Sequence, residues 1–200
     1  MSINMFDVTE ADDADTLARL HGRLTAAADA DGLLDVAYRT IDSPVGSLLL
    51  AATPVGVVRV AFDVEIHDAV LARLAETLSP RILYAPHRLD AVARQLDEYF
   101  AKQRTTFDVP VDLRLADGFR RSVVEHLRDI GYGRRESYAQ VAAAIGSPRA
   151  VRAVGTACAH NPLPVVIPCH RVVRSDGTIG QYVGGPHAKT ALLDLEAVRE

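Results

Sequence analysis

The hydrophobic pattern of this chain changes near residue 112, and that change limits the folds it can adopt. Three short β-rich runs come before it, separated by turn sequences that contain proline and glycine, at 34–41, 47–52 and 57–61. Such runs predict an antiparallel meander. Two amphipathic helices and a short strand are predicted to follow, near 65–78, 88–101 and 81–84 respectively. Beyond residue 112 the pattern is almost entirely helical, so we expect an α/β domain at 34–112 and a helical domain at 113–200.

The first 33 residues form an acidic, alanine-rich leader that fits neither pattern. Residues 1–36 carry eight acidic side chains against two arginines. Leu17, Leu20 and Leu24 fall on one face of a helix. The leader is therefore either a helix that docks on the rest of the chain or a loose tail, and the sequence leaves both open.

Composition excludes several classes of protein. Of the residues, 48% are hydrophobic and 24% are charged, which is ordinary for a globular domain and unlike a disordered, collagen-like or coiled-coil chain. No apolar stretch approaches the roughly 18–20 residues that span a membrane, and the N-terminus is acidic where a signal peptide is basic. Two cysteines without zinc-finger spacing indicate neither a disulfide framework nor a metal site. We expect a bacterial cytoplasmic protein with no membrane partner and no metal.

The formal net charge of −4 hides an uneven distribution of charge along the chain. Residues 118–175 contain nine arginines and only three acidic residues. Such a basic segment suits a polyanion, because each neutralised phosphate releases counterions. A solvated, arginine-rich surface has the same composition, so charge alone does not decide between the two.

Two short helices in this basic half are predicted to form a helix-turn-helix. The first is capped by Ser137 and ends near Ile145, and the second runs from about 148 to 160. A three-residue turn containing Gly146 joins them, as in DNA-binding helix pairs. An ordinary helical hairpin has a similar pattern, so the motif alone leaves DNA binding open.

The most unusual stretch of the chain is Pro168-Cys169-His170-Arg171-Val172. A cysteine attacks as its thiolate, and an adjacent imidazole can take the proton directly or through a water, while arginines lower the pKa of the thiol. For an isolated Cys-His pair, a buried cysteine beside a histidine bonded to backbone is the commoner arrangement. The position directly after a helix-turn-helix favours chemistry instead.

Two downstream features complete a candidate site. A glycine-rich loop at 177–185 can bring backbone close to a flat ligand. A helix predicted at 188–197 carries Glu196, which is available to point inward. A carboxylate that fixes the tautomer of a histidine is the usual third member of a nucleophile–base chain.

These segments closely resemble the O6-alkylguanine-DNA alkyltransferase family, whose most specific motif is matched at 168–172. The resemblance runs from about Leu34 to Glu196 and includes matching segments at Ser43–Gly46, Leu48–Ala51, Gln95-Leu96, Tyr99-Phe100, Ser137-Tyr138, Arg152–Gly155, Asn161-Pro162, Tyr182, Gly184-Gly185, Lys189 and Leu192-Leu193. It implies a ribonuclease-H-like α/β domain with an antiparallel sheet, followed by an all-α, winged-helix-like domain that carries a helix-turn-helix. It also implies one irreversible transfer of an alkyl group from guanine O6 in duplex DNA to a cysteine, without a cofactor, and leaves open whether O4-alkylthymine is a substrate too.

The resemblance assigns catalytic roles to individual residues. Cys169 is the nucleophile and alkyl acceptor, His170 is the base that acts through a water, and Glu196 orients His170. Asn161 holds the turn that carries the cysteine. Tyr138 crowds the target phosphate and donates a hydrogen bond to the extruded guanine.

The resemblance also assigns DNA and substrate contacts. Arg152 enters the base stack where the flipped base had been. The DNA contacts that it implies are made by Arg149, Arg152, Ala153, Gly155 and Tyr138, and the substrate pocket is lined by Val172, Tyr182, Val183, Cys158 and Lys189. The carbonyls of Cys169 and Val172 accept from the guanine amino group. The implied partner is double-stranded DNA carrying O6-alkylguanine, bound by a monomer, and cooperative assembly on DNA stays open.

The sequence departs from the common family pattern at several positions. Val124, Arg120 and Gly131 replace a usual Trp, Gln and Pro, which predicts changes in packing and helix ends rather than in chemistry. Val183 and Cys158 differ beside the alkyl group, so the range of substrates stays open.

Three other classes of protein share part of this pattern. A non-catalytic reader of alkylated bases would lack the reactive cysteine. A transcription factor would leave the Cys-His-Glu chain without a role, and a cysteine hydrolase would turn over repeatedly.

Overall fold

The computed structural model describes residues 9–197 and contains one four-stranded sheet near its start. The strands are β1 (Val36–Ile41), β2 (Leu48–Thr53), β3 (Gly56–Phe62) and β4 (Ile82–Tyr84), in the spatial order β3-β2-β1-β4. The first three strands pair antiparallel, as predicted. The fourth pairs parallel to β1, so the sheet is mixed rather than purely antiparallel. A parallel pair needs a long crossover connection, and the helix between β3 and β4 supplies it.

Both faces of this sheet are covered by a helix. Helix α2 (His67–Thr77) packs Leu74 against Ala51 and Val58 on one face, while α3 (Asp90–Phe100) lies on the other, where Leu48 and Leu50 point. Residues that face α2 and residues that face α3 alternate along the strands, because successive side chains point to opposite faces of a sheet. Strand β2 is buried at all six positions, which explains its nearly unbroken apolar sequence.

The leader forms helix α1 (Thr9–Ala30), and its C-terminal half docks on the edge of β4. Thr25 is buried and its hydroxyl donates to the Tyr84 carbonyl at 3.3 Å, while the His21 ring lies 2.7 Å from the same oxygen. Over Thr9–Ala30, the leader is thus a docked helix rather than a loose tail. The leucine face is not the face that docks, since Leu17, Leu20 and Leu24 are 66%, 50% and 55% exposed.

The second half of the chain is built from four helices and a two-stranded parallel sheet. The helices are α4 (Gly118–Leu127), α5 (Tyr138–Ala144), α6 (Val151–Ala159) and α7 (Gly185–Leu195), and the strands are β5 (Glu136–Ser137) and β6 (Val172–Val173). The small sheet is a feature that the all-helical pattern did not reveal. Its two strands bring the start of α5 beside the end of the Cys-His motif.

The helix-turn-helix is present, with one boundary moved. Ser137 caps α5: its hydroxyl oxygen accepts from the Gln140 amide, and the Ser137 amide donates to the side-chain oxygen of Gln140. The second helix begins at Val151 rather than near 148. Ser147–Ala150 closes a separate turn, with the Ala150 amide 2.8 Å from the Ser147 carbonyl, so the connection is six residues long and not three.

The segment between the halves is anchored to the first sheet. At the edge of β3, the Val57 amide donates to the Pro110 carbonyl at 2.9 Å. The Asp112 amide donates to the Val57 carbonyl at 2.8 Å. A Cβ on Gly56 would overlap the Pro110 carbonyl, so only glycine allows this approach. One apolar cluster contains buried residues from both halves, so the two predicted domains share a core. Within residues 9–197, no helix is long and apolar enough to cross a membrane.

Candidate active site

Cys169 opens a single 3₁₀ turn at the end of a tightly held loop, and it is only 2% exposed. Asn161 clamps that loop from inside: its Nδ2 donates to the Ile167 carbonyl at 2.8 Å, and its Oδ1 accepts from the Leu163 amide at 3.1 Å. The Ile167 carbonyl also accepts from the Cys169 amide at 2.8 Å. Asn161 therefore fixes both arms of the loop that carries the thiol, the role that the resemblance gave it.

The first sheet holds the same loop from outside. The Val60 amide and the Arg59 guanidinium of β3 donate to the Pro162 carbonyl at 2.9 and 3.2 Å. Val165 is buried with a φ of 71°, a left-handed conformation that β-branched residues avoid. The contacts on both sides hold the loop in this strained shape.

His170 follows the cysteine and is completely buried. Its Nε2 lies 2.9 Å from Oε1 of Glu196, and a carboxylate only accepts, so we assign the proton to Nε2. The Nδ1 atom is then an acceptor, and it is buried without a hydrogen-bond partner among the described residues. Burial lowers the pKa of His170 and outweighs the opposing effect of Glu196. The imidazole is neutral at pH 7 and can accept a proton on Nδ1.

Glu196 stands at the C-terminal end of α7 and is the acceptor around which the site is organised. Besides His170, it accepts from Arg171 Nε and Nη2, each at 2.9 Å, from the Tyr99 hydroxyl at 2.6 Å and from the Gly133 amide at 3.2 Å. Burial opposes its ionisation, but the hydrogen bonds from His170, Arg171 and Tyr99 bring its pKa down to about 2. Glu196 therefore stays ionised despite being 1% exposed.

The thiol of Cys169 is held in its protonated form. Burial raises its pKa to about 11, although a hydrogen bond with the Asn161 side chain and the nearby charge of Lys189 act in the opposite direction. Lys189 is fully buried, and its ammonium donates to the Val172 carbonyl at 2.6 Å and lies 5.9 Å from the centre of the Tyr138 ring. Attack by this sulfur requires a base, and His170 is the adjacent one.

A cavity of about 450 Å³ lies at the glycine-rich loop. Its walls are formed by Ala159, Arg174, Ile179, Gly180, Gln181, Tyr182, Val183 and Pro186. Of the predicted pocket residues, Tyr182 and Val183 line this cavity, whereas Cys158, Val172 and Lys189 are buried and do not line it.

The glycine-rich loop packs directly on the residues around the thiol. A Cβ on Gly180 would overlap the Tyr138 hydroxyl, and one on Gly184 would lie 2.7 Å from the Phe62 ring. The Tyr182 ring stands edge-on to Phe62 at 5.6 Å and to His170 at 6.3 Å, and its hydroxyl is buried without a hydrogen-bond partner among the described residues. The loop therefore closes the site and contacts the first sheet.

A larger cavity of about 640 Å³ lies between α2, the start of α4 and the end of α6. Four arginines line it, and three of them pair with a carboxylate: Arg59 with Glu65, Arg114 with Asp112 and Arg120 with Asp117. Neither Cys169 nor His170 lines this cavity or the smaller one, and Ala159 and Val183 line both.

The predicted DNA contacts lie at the start of α6. Arg149, Arg152 and Ala153 are exposed, and Gly155 is half-buried against the Tyr138 ring. The exposed face of the second helix of the helix-turn-helix is therefore cationic and free of bulky apolar side chains other than Val151. Such a face suits a nucleic-acid groove.

Two residues of the site had no role in the sequence analysis. Arg171 pairs with Glu196 and also donates to the Ile130 carbonyl, and Tyr99 reaches Glu196 from α3. Arg171 stands inside the Cys-His motif, and Tyr99 stands inside a matching segment, so both positions carried a signal. Their partner could not be known without the fold. No group of three or more His, Cys, Asp or Glu side chains that could hold a metal ion is found within residues 9–197.

Comparison with known families decides which chemistry this site performs. The family model described as "6-O-methylguanine DNA methyltransferase, ribonuclease-like domain" matches residues 36–113, and the DNA binding domain model of the same methyltransferase matches 118–198. The chain belongs to the 6-O-methylguanine DNA methyltransferase family. It is a DNA-repair protein that transfers an alkyl group to a cysteine.

Individual members of this methyltransferase family match over most of their length. The Mycobacterium bovis methylated-DNA–protein-cysteine methyltransferase is 40% identical over 81% of this chain and 93% of its own, and a constitutive Bacillus subtilis relative is 36% identical over 80% and 95%. The crystal structure of the Mycobacterium tuberculosis O6-methylguanine methyltransferase has a TM-score of 0.73 at 38% identity, covering 82% of this chain and 94% of that one. The Mycobacterium tuberculosis OGT has also been solved in complex with DNA, at 39% identity and a TM-score of 0.69, with coverage of 80% and 92%.

Three departures from the family pattern, at Arg120, Val124 and Gly131, lie in α4 and in the turn after it. Val124 is fully buried in the shared core, where the family usually has Trp. Arg120 pairs with Asp117 at 3.0 Å, and the Gly131 carbonyl accepts from the Arg134 amide at 3.0 Å. Val124 is therefore a packing position, Arg120 a surface position and Gly131 a turn position.

Proposed function

We propose that the chain repairs O6-alkylguanine in double-stranded DNA by one irreversible displacement on Cys169. The Cys169 sulfur forms a bond to the alkyl carbon, the bond from that carbon to guanine O6 breaks, and its electron pair leaves with guanine. The observation that supports this most is that Cys169, His170 and Glu196 are all buried and that His170, the residue after Cys169, bonds to Glu196. All three residues follow the helix-turn-helix in the chain. The product is a thioether at Cys169, which these groups cannot cleave, so each molecule acts once. The displacement needs no cofactor.

The proton of the thiol goes to Nδ1 of His170, through a water. The neutral imidazole has that atom available, and the ionised Glu196 stabilises the imidazolium that forms. Asn161 holds the thiol in place. The Tyr138 hydroxyl, whose pKa burial raises to about 12, stays protonated and donates to the leaving guanine.

The target base has to leave the helix before it reaches the thiol, because O6 is inaccessible inside a duplex. The exposed start of α6 enters the groove, Arg149 contacts phosphate, and Ala153 and Gly155 allow a close approach. Arg152 fills the gap that the flipped base leaves. The protein binds DNA as a monomer in the bacterial cytoplasm.

The flipped base enters the 450 Å³ cavity as the glycine-rich loop moves off Tyr138. Tyr182 and Val183 then face the alkylated edge, with Cys158 behind them. The carbonyls of Cys169 and Val172 accept from the guanine amino group. The Val172 carbonyl already accepts from Lys189, but a carbonyl has a second lone pair for the base.

The test is intact-mass analysis after incubation with a duplex that carries O6-methylguanine. We expect one added methyl group per chain, located on Cys169 by peptide mapping. Cys169→Ala should abolish the transfer and still bind DNA, whereas the matched variant Cys158→Ala should still take its methyl group on Cys169. Labelling on Cys158, or many turnovers per molecule as in a hydrolase, would overturn the proposal, and DNA binding without transfer would indicate a reader or a transcription factor.

A further inference from the structure

One of the hydrogen bonds to Glu196 comes from the ribonuclease-like half of the chain. Tyr99, near the end of α3, is fully buried, and its hydroxyl donates to Glu196 Oε1 at 2.6 Å. The other side-chain donors to this carboxylate, His170 and Arg171, belong to the motif that carries the thiol. Tyr99 is thus a direct contact between the first domain and the proton-transfer group of the second.

Tyr99 and His170 share a single oxygen atom. The His170 Nε2 lies 2.9 Å from Oε1, and the Tyr99 hydroxyl lies 3.5 Å from the same Nε2. A hydroxyl that donates to Oε1 fixes the position of that oxygen and draws negative charge away from it. Burial and the charge of Glu196 raise the pKa of Tyr99 far above its usual range, so the phenol remains a donor.

We propose that Tyr99 is a positioning residue for alkyl transfer, acting through Glu196 on His170. It holds Oε1 where the imidazole keeps its proton on Nε2 and leaves Nδ1 as the free acceptor. It also limits how strongly Glu196 raises the basicity of His170. The inference rests on the proposed function of the Cys169 site, and it gives the ribonuclease-like domain a direct part in the reaction.

The variant Tyr99→Phe removes the hydroxyl and retains the ring. The ring packs on Phe100 and Phe107, each with a centroid distance of 5.4 Å, and these contacts survive the change. A matched control exists in Tyr132, whose ring lies 6.2 Å from that of Tyr99 and whose hydroxyl donates to the Leu195 carbonyl at 3.1 Å. Tyr132→Phe therefore removes a neighbouring hydroxyl that bonds to backbone instead of to Glu196.

The experiment measures single-turnover transfer from free O6-benzylguanine against pH, because a free base needs no DNA binding or flipping. We expect Tyr99→Phe to slow the plateau rate roughly tenfold, the effect typical of losing a hydrogen bond to a charged group. Glu196 then interacts more strongly with His170, so the pKa of His170 rises and the acid limb of the profile moves to higher pH. In the Tyr132→Phe variant, the acid limb of the pH–rate profile should stay at the same pH as in the unsubstituted protein.

Two further measurements separate this role from a purely structural one. In a Glu196→Gln background the effect of Tyr99→Phe on rate should largely vanish, because the two changes act through one contact. A titration of the His170 ring by NMR should show the same rise in its pKa, whether or not alkyl transfer occurs. The NMR titration therefore tests the positioning role of Tyr99 even if the proposed function of the Cys169 site fails. An unmoved His170 titration, or equal and independent rate losses in both backgrounds, would overturn the positioning role.

Discussion

At the scale of single residues, the site keeps its reacting groups uncharged beside a fixed ion pair. The thiol of Cys169 has a raised pKa and His170 a lowered one, so both are neutral at pH 7. Glu196 and Arg171 are buried next to them and balance one another. Charge separates only when the thiol proton reaches His170, and Glu196 is already in place to stabilise the result.

The rate of transfer should therefore report the titration of His170. Its pKa lies below 6.5, so the rate should be level above that pH and fall in more acidic solution as the imidazole gains a proton. Glu196 raises the pKa of His170, so Glu196→Gln should move the acid limb to lower pH and slow the plateau roughly 100-fold. Single-turnover rates on O6-benzylguanine between about pH 5 and 8 test this. An acid limb that moves to higher pH, or does not move, would contradict the assigned relay.

Val183 should set the width of the substrate cavity. It lines the cavity at the glycine-rich loop, and a β-branched side chain is stiff at χ1 and cannot swing aside cheaply. A change of methylene size in an apolar pocket alters rates by roughly 10–200-fold, so Val183→Gly should raise the rate on benzyl relative to methyl adducts within that range. The measurement is a pair of single-turnover rates on matched duplexes. If the benzyl-to-methyl ratio is unchanged or falls, Val183 does not limit the cavity.

At the scale of elements, the proposed function divides the work of presenting the base between helix α6 and the glycine-rich loop. Exposed Arg152 in α6 and exposed Arg149 in the turn before it are proposed to contact DNA, and the loop packs on Tyr138 and Phe62. The two elements meet at Ala159 and Val183, which line both cavities. Changes in either element should consequently separate DNA handling from chemistry.

Arg152→Ala should slow repair of duplex DNA far more than transfer from free O6-benzylguanine. The side chain is exposed at the start of α6, and in the proposed function it fills the stack after flipping and has no part with a free base. Tyr138→Phe should slow both reactions, because the leaving guanine loses a donor in either case. Parallel losses on duplex and free base for Arg152→Ala would refute its assignment.

Gly184→Ala should loosen the contact between the loop and the first sheet. The new Cβ would lie 2.7 Å from the Phe62 ring, so the loop or the ring must shift, and we expect a loss of about 1–3 kcal/mol in the free energy of unfolding with slower transfer. Gly131→Ala is the matched control, since its nearest neighbour would be the Arg134 side chain at 3.8 Å. Urea unfolding and single-turnover rates check the pair. Equal stability of both variants would show that this close approach is dispensable.

At the scale of the whole molecule, the sequence predicted what depends on neighbours along the chain. The Ser137 cap, the helix that carries Glu196 and the motif around Cys169 are local patterns with local causes. The parallel pairing of β4 and the bond from Tyr99 to Glu196 join residues far apart in the sequence. Such contacts depend on how finished elements pack, and no periodicity within one element encodes them.

Glu196 joins both halves of the molecule, so its ionisation should appear in global stability. Its pKa is about 2 in the folded protein against 4.5 as the ordinary value, so the stabilisation is complete above pH 4.5 and is lost as pH falls toward 2. The shift corresponds to about 3 kcal/mol. Other carboxylates with lowered pKa, among them Asp112, also contribute, so the informative quantity is the difference between the unchanged protein and Glu196→Gln.

Urea unfolding at a series of pH values should show that difference shrinking by about that amount as the solution is acidified from neutral. Glu196→Gln should be the less stable protein at neutral pH and should have the flatter dependence on acid. A difference that stays constant down to pH 2 would mean that Glu196 is not held as an anion by Tyr99, His170 and Arg171. The link between the two halves would then rest on apolar packing and on the hydrogen bonds from Val60 and Arg59 to Pro162.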